Sequence, residues 1–450
     1  MNLNTLLAIS PVDGRYRNIT EKISEYFSEY AYIKYRLIVE IKWLEYILSC
    51  KEIIDCNENI NELEIIINNF NITECEHVKE IEKVTNHDVK AIEYYIKEKI
   101  GNTKLEKYSN FVHFACTSED INNLAYSLML TDCLNKVIYP NIDELIANIS
   151  SKADELKSIA MLSHTHGQPA TPTTVGKELA VFVYRWKYLY NKIKNIKLKG
   201  KFNGAVGCFN AHIVAYPNIN WIEFSKKFVE SLNIVYNPLV TQIESHDTIC
   251  EIFNYIKLFN NVTLDFNSDM WMYISKGYFK QKAINTETGS SVMPHKVNPI
   301  NHENSMANIH MANCIIDNFT NNLQISRMQR DLSDSSNLRN IGVMLSHFLI
   351  SIKQSIIGFS KMEVNNIALE RDLNENPEIL AEAIQTVLRK NGYNNAYELL
   401  KEHTRGKEVT LEDLRRFIIT LDLNACDKKM LLELTPSKYI GLSEELIEYK

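Results

Sequence analysis

The run Gly289-Ser290-Ser291-Val292-Met293-Pro294-His295-Lys296-Val297-Asn298-Pro299, followed by Glu303, puts a pair of hydroxyls, an ammonium and a side-chain amide on one short loop. Gly289 and the two serines give it a flexible start. Pro294 and Pro299 hold the backbone out of a regular helix, and helix-forming residues resume at Glu303-Asn304-Ser305. A reaction that draws a proton from carbon needs this set: a base, a cation facing the carbanion, and an amide to hold the substrate. A serine is a base only if its alkoxide is stabilised, and Lys296 together with the loop's N–H groups can do that. The plainer alternative is a glycine loop with a surface lysine.

Other candidate groups are dispersed. Ser163-His164-Thr165-His166-Gly167-Gln168-Pro169 holds two histidines where glycine and proline forbid a helix. No third ligand accompanies the pair at metal-binding spacing, so His166 reads as a general acid or base on a stiff loop. Ser10-Pro11-Val12-Asp13-Gly14-Arg15-Tyr16 is a turn that displays Arg15 and Tyr16 toward an anionic or aromatic ligand, or else a plain N-terminal loop. In Thr85-Asn86-His87-Asp88-Val89-Lys90, either Thr85 or Asn86 caps a helix with His87 and Asp88 in its first turn, or His87 is a proton-transfer group tuned by Asp88. Thr117-Ser118-Glu119-Asp120 is a capping box, and also a ready carboxylate site. Gln242 offers an amide. Arg330 and Arg339 bracket Ser333, Ser335, Ser336 and Asn337, a set suited to a phosphate or dicarboxylate. Salt bridges to Asp331 and Asp334 are the structural alternative.

Helices must position these groups. No proline separates Pro11 from Pro140, or Pro299 from Pro377, and glycines number 14; helices are the element least tolerant of both. Apolar residues recur at helical spacing in Phe182/Trp186/Leu189/Ile193, Phe259/Val262/Phe266/Met270/Tyr273 and Leu345/Phe348/Ile352/Ile356. Long helices are expected over 21–48, 142–159 and from 300 to 327. Residues 200–217 form an irregular segment, 232–240 a short extended piece, and no strand hairpins are expected. Beyond Glu363 the pattern becomes short amphipathic helices. The fold class is all-α.

Composition bounds the rest. A hydrophobic fraction of 45% and a net charge of −7 fit an ordinary globular chain and argue against nucleic-acid binding. The 9 cysteines show no paired spacing, which fits reduced thiols. The N-terminus lacks a positive region and a long apolar run, and no membrane span is expected, so a cytoplasmic location is inferred.

Gly289, Ser290, Met293, Lys296 and Asn298 match the G-S-x-x-M-x-x-K-x-N signature of the fumarase/aspartase superfamily. Ser-Pro-Val-Asp-Gly-Arg-Tyr, Thr-Asn-His-Asp-Val-Lys, Thr-Ser-Glu-Asp-Ile-Asn-Asn, Thr-His-Gly-Gln-Pro-Ala-Thr-Pro and Gln-Arg-Asp-Leu-Ser-Asp-Ser make the chain similar, from Ser10 to about Gly441, to the bacterial-type adenylosuccinate lyase family. The resemblance implies three helical domains (1–112, 113–362 with the signature loop at 285–299, and 363–450). It implies a homotetramer whose long central helices bundle together and whose active sites are shared between subunits. It implies cleavage of fumarate from adenylosuccinate, giving AMP, and from SAICAR, giving AICAR, with no cofactor and no metal. By the same resemblance Ser290 is the general base and His166 the general acid, and Lys296 and Asn298 bind the carboxylate that gains charge. His87 assists beside the substrate. Arg15, Tyr16, Arg330, Ser335 and Arg339 hold phosphate and ribose. Thr117, Ser118, Gln242 and Asn304 hold other edges, with Asn86, Asp88, Ser336 and Asn337 beside them. His164 stands where many relatives carry arginine. The alternatives are a sister lyase, such as argininosuccinate lyase or fumarase, and a non-catalytic protein on the same fold.

Overall fold

The computed structural model describes residues 4–284, 292–293, 295–406 and 408–450. It is 66% helical, and its strands are short, which makes the chain all-α as the proline and glycine distribution implies. Two compact units emerge. The first comprises residues 1–142, 189–261 and 307–353, the second 143–188, 262–306 and 354–450. Their boundaries fall inside the helices Tyr139–Glu155, Val175–Asn195, Asp247–Ser275, Ile300–Asn322 and Ile341–Ser360, so each of these long helices gives residues to both units.

In the first unit, helix Glu29–Leu48 is buried around most of its circumference. Leu37, Ile41, Leu44 and Leu48 pack with Leu63, Phe70, Val78, Ile92 and Ile96, while Trp43 meets Phe202 and Phe228. The helix expected over 21–48 breaks at Ser28. That residue is extended (φ −96°, ψ 168°), and its hydroxyl caps the helix by accepting from the Ala31 N–H. The residues before it form only the short turns Arg17–Thr20, Glu21–Ile23 and Ser24–Phe27.

Helix Ser118–Cys133 runs through a π-helical turn, Leu134–Ile138, into Tyr139–Glu155. Pro140 lacks an N–H and so cannot bond the carbonyl four residues back; one residue on, the Asn141 side-chain amide donates to the Val137 carbonyl at 2.6 Å. This helix therefore starts before, and ends before, the expected 142–159. Helix Ile300–Asn322 stops short of Arg327 because residues 326–333 fold around Asp331, which accepts from the backbone N–H groups of Arg327 and Ser333. The expected extended piece at 232–240 reduces to Val235–Tyr236, parallel to Lys199–Gly200.

The second unit corrects the expectation of no hairpin. Ala160–Thr165 pairs antiparallel with Gln168–Thr174, and Phe279–Gln281 pairs with Met362–Val364. Trp186 packs at an angle against Phe182, meets Phe266 edge-on and donates to the Thr263 hydroxyl. Asn267 bridges Ser305 and Ser355 inside the same unit. The C-terminal helices, from Asn366–Glu375 to Ala425–Glu433, enclose Leu373, Ile384, Leu388, Leu400, Leu414, Ile418 and Leu431. Residues 333–360 are long and apolar enough to span a membrane, but 78% of the most apolar window is buried inside the protein, as for a core helix.

Candidate active site

His166 and Gly167 form the two-residue connection of the hairpin, with Thr165 opposite Gln168. Both have positive φ, 54° and 74°, the geometry of a turn whose twist matches the flanking strands. Histidine is tolerated there but not favoured, and its ring is exposed with no hydrogen bond to a described residue. The hairpin is anchored away from its tip. Leu162 lies in the C-terminal apolar cluster. Thr171 donates to Glu382 at 2.5 Å, and Tyr439 donates to the same carboxylate at 2.9 Å. Thr174 caps the following helix by accepting from the Lys177 N–H. His164 lies 3.8 Å from Asp372, which also accepts from the Tyr278 hydroxyl. Burial, helped by Lys276, pushes its imidazole below the ordinary value, so it is held as a neutral group.

Of the signature loop, Gly289, Ser290, Ser291 and Pro294 lie outside the described residues. Lys296 is exposed, and its N–H donates to the Met293 carbonyl. Helix Ile300–Asn322 begins directly after Pro299, whose carbonyl accepts from His302 and Glu303; Asn298 and Asn304 flank that start.

In the first unit the candidate residues are joined by one network of charges. Arg330 donates to Glu119 at 2.5 Å and lies 3.7 Å from Asp334. Glu119 also accepts from Asn122, whose carbonyl oxygen accepts from Arg36. Arg36 pairs with Asp88 at 2.7 Å and stacks 3.7 Å over Tyr32. Arg339 pairs with Glu29 at 2.7 Å and lies 3.7 Å from Asp88. Burial would raise the Asp88 carboxyl, but Arg36 outweighs it and holds the pKa below the ordinary value. The structural alternative for Arg330 is thus realised through Glu119 and, at longer range, Asp334. Asp331 pairs with Arg327 instead.

Capping also departs from expectation at one place. Asn86 sits at φ 50° and closes the preceding helix, while His87 caps Asp88–Ile100 by accepting the Lys90 N–H at its Nδ1, 3.1 Å away. That leaves Nε2 as the proton-bearing, outward nitrogen of the neutral ring. The capping box at Thr117 forms as expected. Its Asp120 does more than close the box: it accepts from Asn203 and Gly204 and pairs with Lys201 at 2.8 Å, both side chains being 0% exposed. Gln242 donates to the Ala205 carbonyl of the same segment. Thr117, through Asp120, and Gln242 are therefore tied to one irregular stretch, 201–207. Arg15 and Tyr16 stand on the expected turn, with Arg15 exposed and its guanidinium 5.9 Å from the Tyr16 ring. Ser335, Ser336 and Asn337 lie on the short helix Ser333–Leu338, where Asn337 accepts from Asn318.

Sequence reasoning missed Arg36, Glu119, Lys201 and His246. Glu119 reads as part of a cap, Lys201 and His246 lie in polar irregular stretches, and only a charge amid the apolar positions of a helix hinted at Arg36.

Residues 14–314 match the family described as Lyase, and residues 326–440 match Adenylosuccinate lyase C-terminal. The adenylosuccinate lyase of Haemophilus influenzae is 49% identical over 453 residues, covering 100% of this chain and 99% of its own. The chain belongs to the adenylosuccinate lyase family. It is a lyase. Members from Buchnera aphidicola of Acyrthosiphon pisum (48%, covering 99% of each chain) and Escherichia coli K12 (45%, covering 100% and 99%) are similarly close. The fold also matches that of a fumarate lyase from Mesorhizobium sp. BNC1, with TM-score 0.77, 16% identity and 95% and 96% of the two chains covered.

Proposed function

We propose that this enzyme cleaves adenylosuccinate to fumarate and AMP, and SAICAR to fumarate and AICAR. The observation that carries this reading is 49% identity, end to end, with the adenylosuccinate lyase of Haemophilus influenzae. Ser290 takes the proton from the succinyl Cβ. The electron pair left behind spreads into the adjoining carboxylate, whose growing charge Lys296 and Asn298 meet. The C–N bond then breaks, its pair moving to nitrogen, and His166 supplies the proton the nitrogen needs. An exposed imidazole on a hairpin turn, with no ring hydrogen bond to a described residue, suits that task.

His87 assists with its outward nitrogen. Arg15, Tyr16, Arg330, Ser335 and Arg339 hold phosphate and ribose; Thr117, Ser118, Gln242 and Asn304 hold the remaining edges, with Asn86, Asp88, Ser336 and Asn337 lining them. The same likeness supports a three-domain division at 1–112, 113–362 and 363–450, a homotetramer with shared sites, and a cytoplasmic location. The test is an absorbance assay on both substrates without added metal, run on the wild type and on Ser290→Ala and His166→Ala. Turnover of neither substrate by the wild type would sink the reading. Full activity in both variants would sink the role assignment.

A further inference from the structure

One buried histidine is not used by this chemistry. His246 is 2% exposed and sits at φ 61°, just before helix Asp247–Ser275. Its Nε2 lies 3.4 Å from the Asp334 carboxylate, and its backbone N–H donates to Glu244 at 2.8 Å. Asp334 is itself buried. Its other oxygen accepts the Ser335 N–H at 2.7 Å and lies 3.7 Å from Arg330, which Glu119 grips from the far side. A left-handed backbone at a residue other than glycine persists only where its surroundings enforce it, and here the enforcement presents the ring to Asp334.

We infer that His246 is a positioning residue for the phosphate-binding edge: through Asp334 it sets Arg330 and Ser335, and its charge tunes how strongly that edge attracts an anion. This deepens the proposed function and rests on its assignment of Arg330 to the phosphate. The charged groups facing the imidazole are Asp334 and Arg330 from one segment, Glu119 from helix Ser118–Cys133, and Glu244 and Asp247 on its own side. Burial alone would drive the ring neutral; Asp334, Glu244 and Glu119 outweigh it and keep it protonated above the ordinary range. Loss of that proton removes one positive charge from a buried cluster beside Arg330, so anion affinity falls as pH rises through the histidine's titration.

The experiment measures inhibition by AMP across a pH series running upward from the ordinary histidine value, for the wild type and for His246→Gln. Glutamine keeps a donor toward Asp334 without the charge. The result expected is a wild-type inhibition constant that weakens about tenfold over the range relative to the variant, with kcat within about twofold between them. Comparing the two proteins cancels the second ionisation of AMP's own phosphate. His246→Leu, checked for an intact denaturation transition, removes the donor as well and weakens AMP at every pH. A control, Glu119→Gln with Arg330→Gln, removes Arg330's charge without stranding Glu119, while Asp334 keeps His246 and the Ser335 N–H. If that control binds AMP as the wild type does, the phosphate reading falls. If the control loses AMP but His246→Gln keeps the wild-type pH slope, or loses kcat instead of affinity, the inference about His246 alone falls.

Discussion

Arg330 and His166 carry opposite design choices. Arg330, in the first unit, is 16% exposed, held by Glu119 at 2.5 Å, and linked through further side chains to Asp88 and Arg339. His166, in the second unit, stands on a hairpin tip with no hydrogen bond from its ring to a described residue, while the hairpin is pinned through Leu162, Thr171 and Thr174. Binding an anion requires charges already desolvated and oriented before the ligand arrives. Delivering a proton requires a ring whose nitrogens are uncommitted on a support that does not move. Mutations should therefore separate into those that strike stability and affinity together and those that strike turnover alone.

The largest expected effect lies on the turnover side. His166→Ala should lower kcat by about 10²–10⁴-fold and leave the urea midpoint where it was, since the residue is exposed and its ring has no hydrogen bond to a described residue. Steady-state kinetics and denaturation on one preparation check both halves. A shifted midpoint with modest kinetic loss would erase the contrast.

Arg330→Ala is the counterpart. It strands Glu119, whose side chain is 3% exposed, and an uncompensated buried charge is destabilising by about 3–5 kcal/mol. Stability measured by urea denaturation should fall by that amount, and adding Glu119→Gln should recover most of it. If Arg330→Ala is as stable as the wild type, the network is a weak surface feature and the comparison fails on this side.

The sequence reveals these two regions unequally. Thr117 and Asp120 sit three apart and interact locally, so their capping box is readable from spacing alone. Residues 160–174 are not readable as a hairpin. Pro169 and Pro172 argue against a strand, and His-Gly lacks the Asn or Asp that usually signals such a turn. The break at Ser28 hides inside a continuous helical pattern because serine is acceptable within a helix. Arg330 was visible as a candidate cation, but its partner Glu119 lies 211 residues away, and no local pattern records that distance. The long helices, by contrast, follow from where proline is missing, and the signature residues from their fixed spacing.

Acid sensitivity offers a finer division. Burial pushes His212 in the first unit and His302 in the second each down to about 4. The unfolded chain takes up these protons near pH 6.5, the folded one only near 4, so the unfolded state binds more protons in between. Their contribution is fully present above pH 6.5 and is lost as pH falls toward 4, at up to about 1.4 kcal/mol per pH unit for each ring. His212→Gln and His302→Gln should each flatten the stability profile in that window. Whichever flattens it more identifies the unit that yields first to acid, and an unchanged slope in both would mean that neither ring is held neutral.

The smallest expected effect is also the most discriminating about support. Gly167 adopts φ 74°, and a Cβ there would meet nothing within 4 Å. Gly167→Ala should therefore register only the left-handed backbone penalty, about 1–2 kcal/mol, against a hairpin held elsewhere. Gly207, at φ 80°, is different, because a Cβ would come within 2.4 Å of the Val240 carbonyl. Gly207→Ala adds a steric clash of about 1–3 kcal/mol to the same penalty and presses on the segment that ties Thr117 to Gln242. Urea denaturation should rank Gly207→Ala as the more damaging, and kinetics should show it raising KM where Gly167→Ala lowers kcat a few-fold by tilting His166. If both substitutions changed the same kinetic constant, the second unit's hairpin and the first unit's binding edge would not be separate devices.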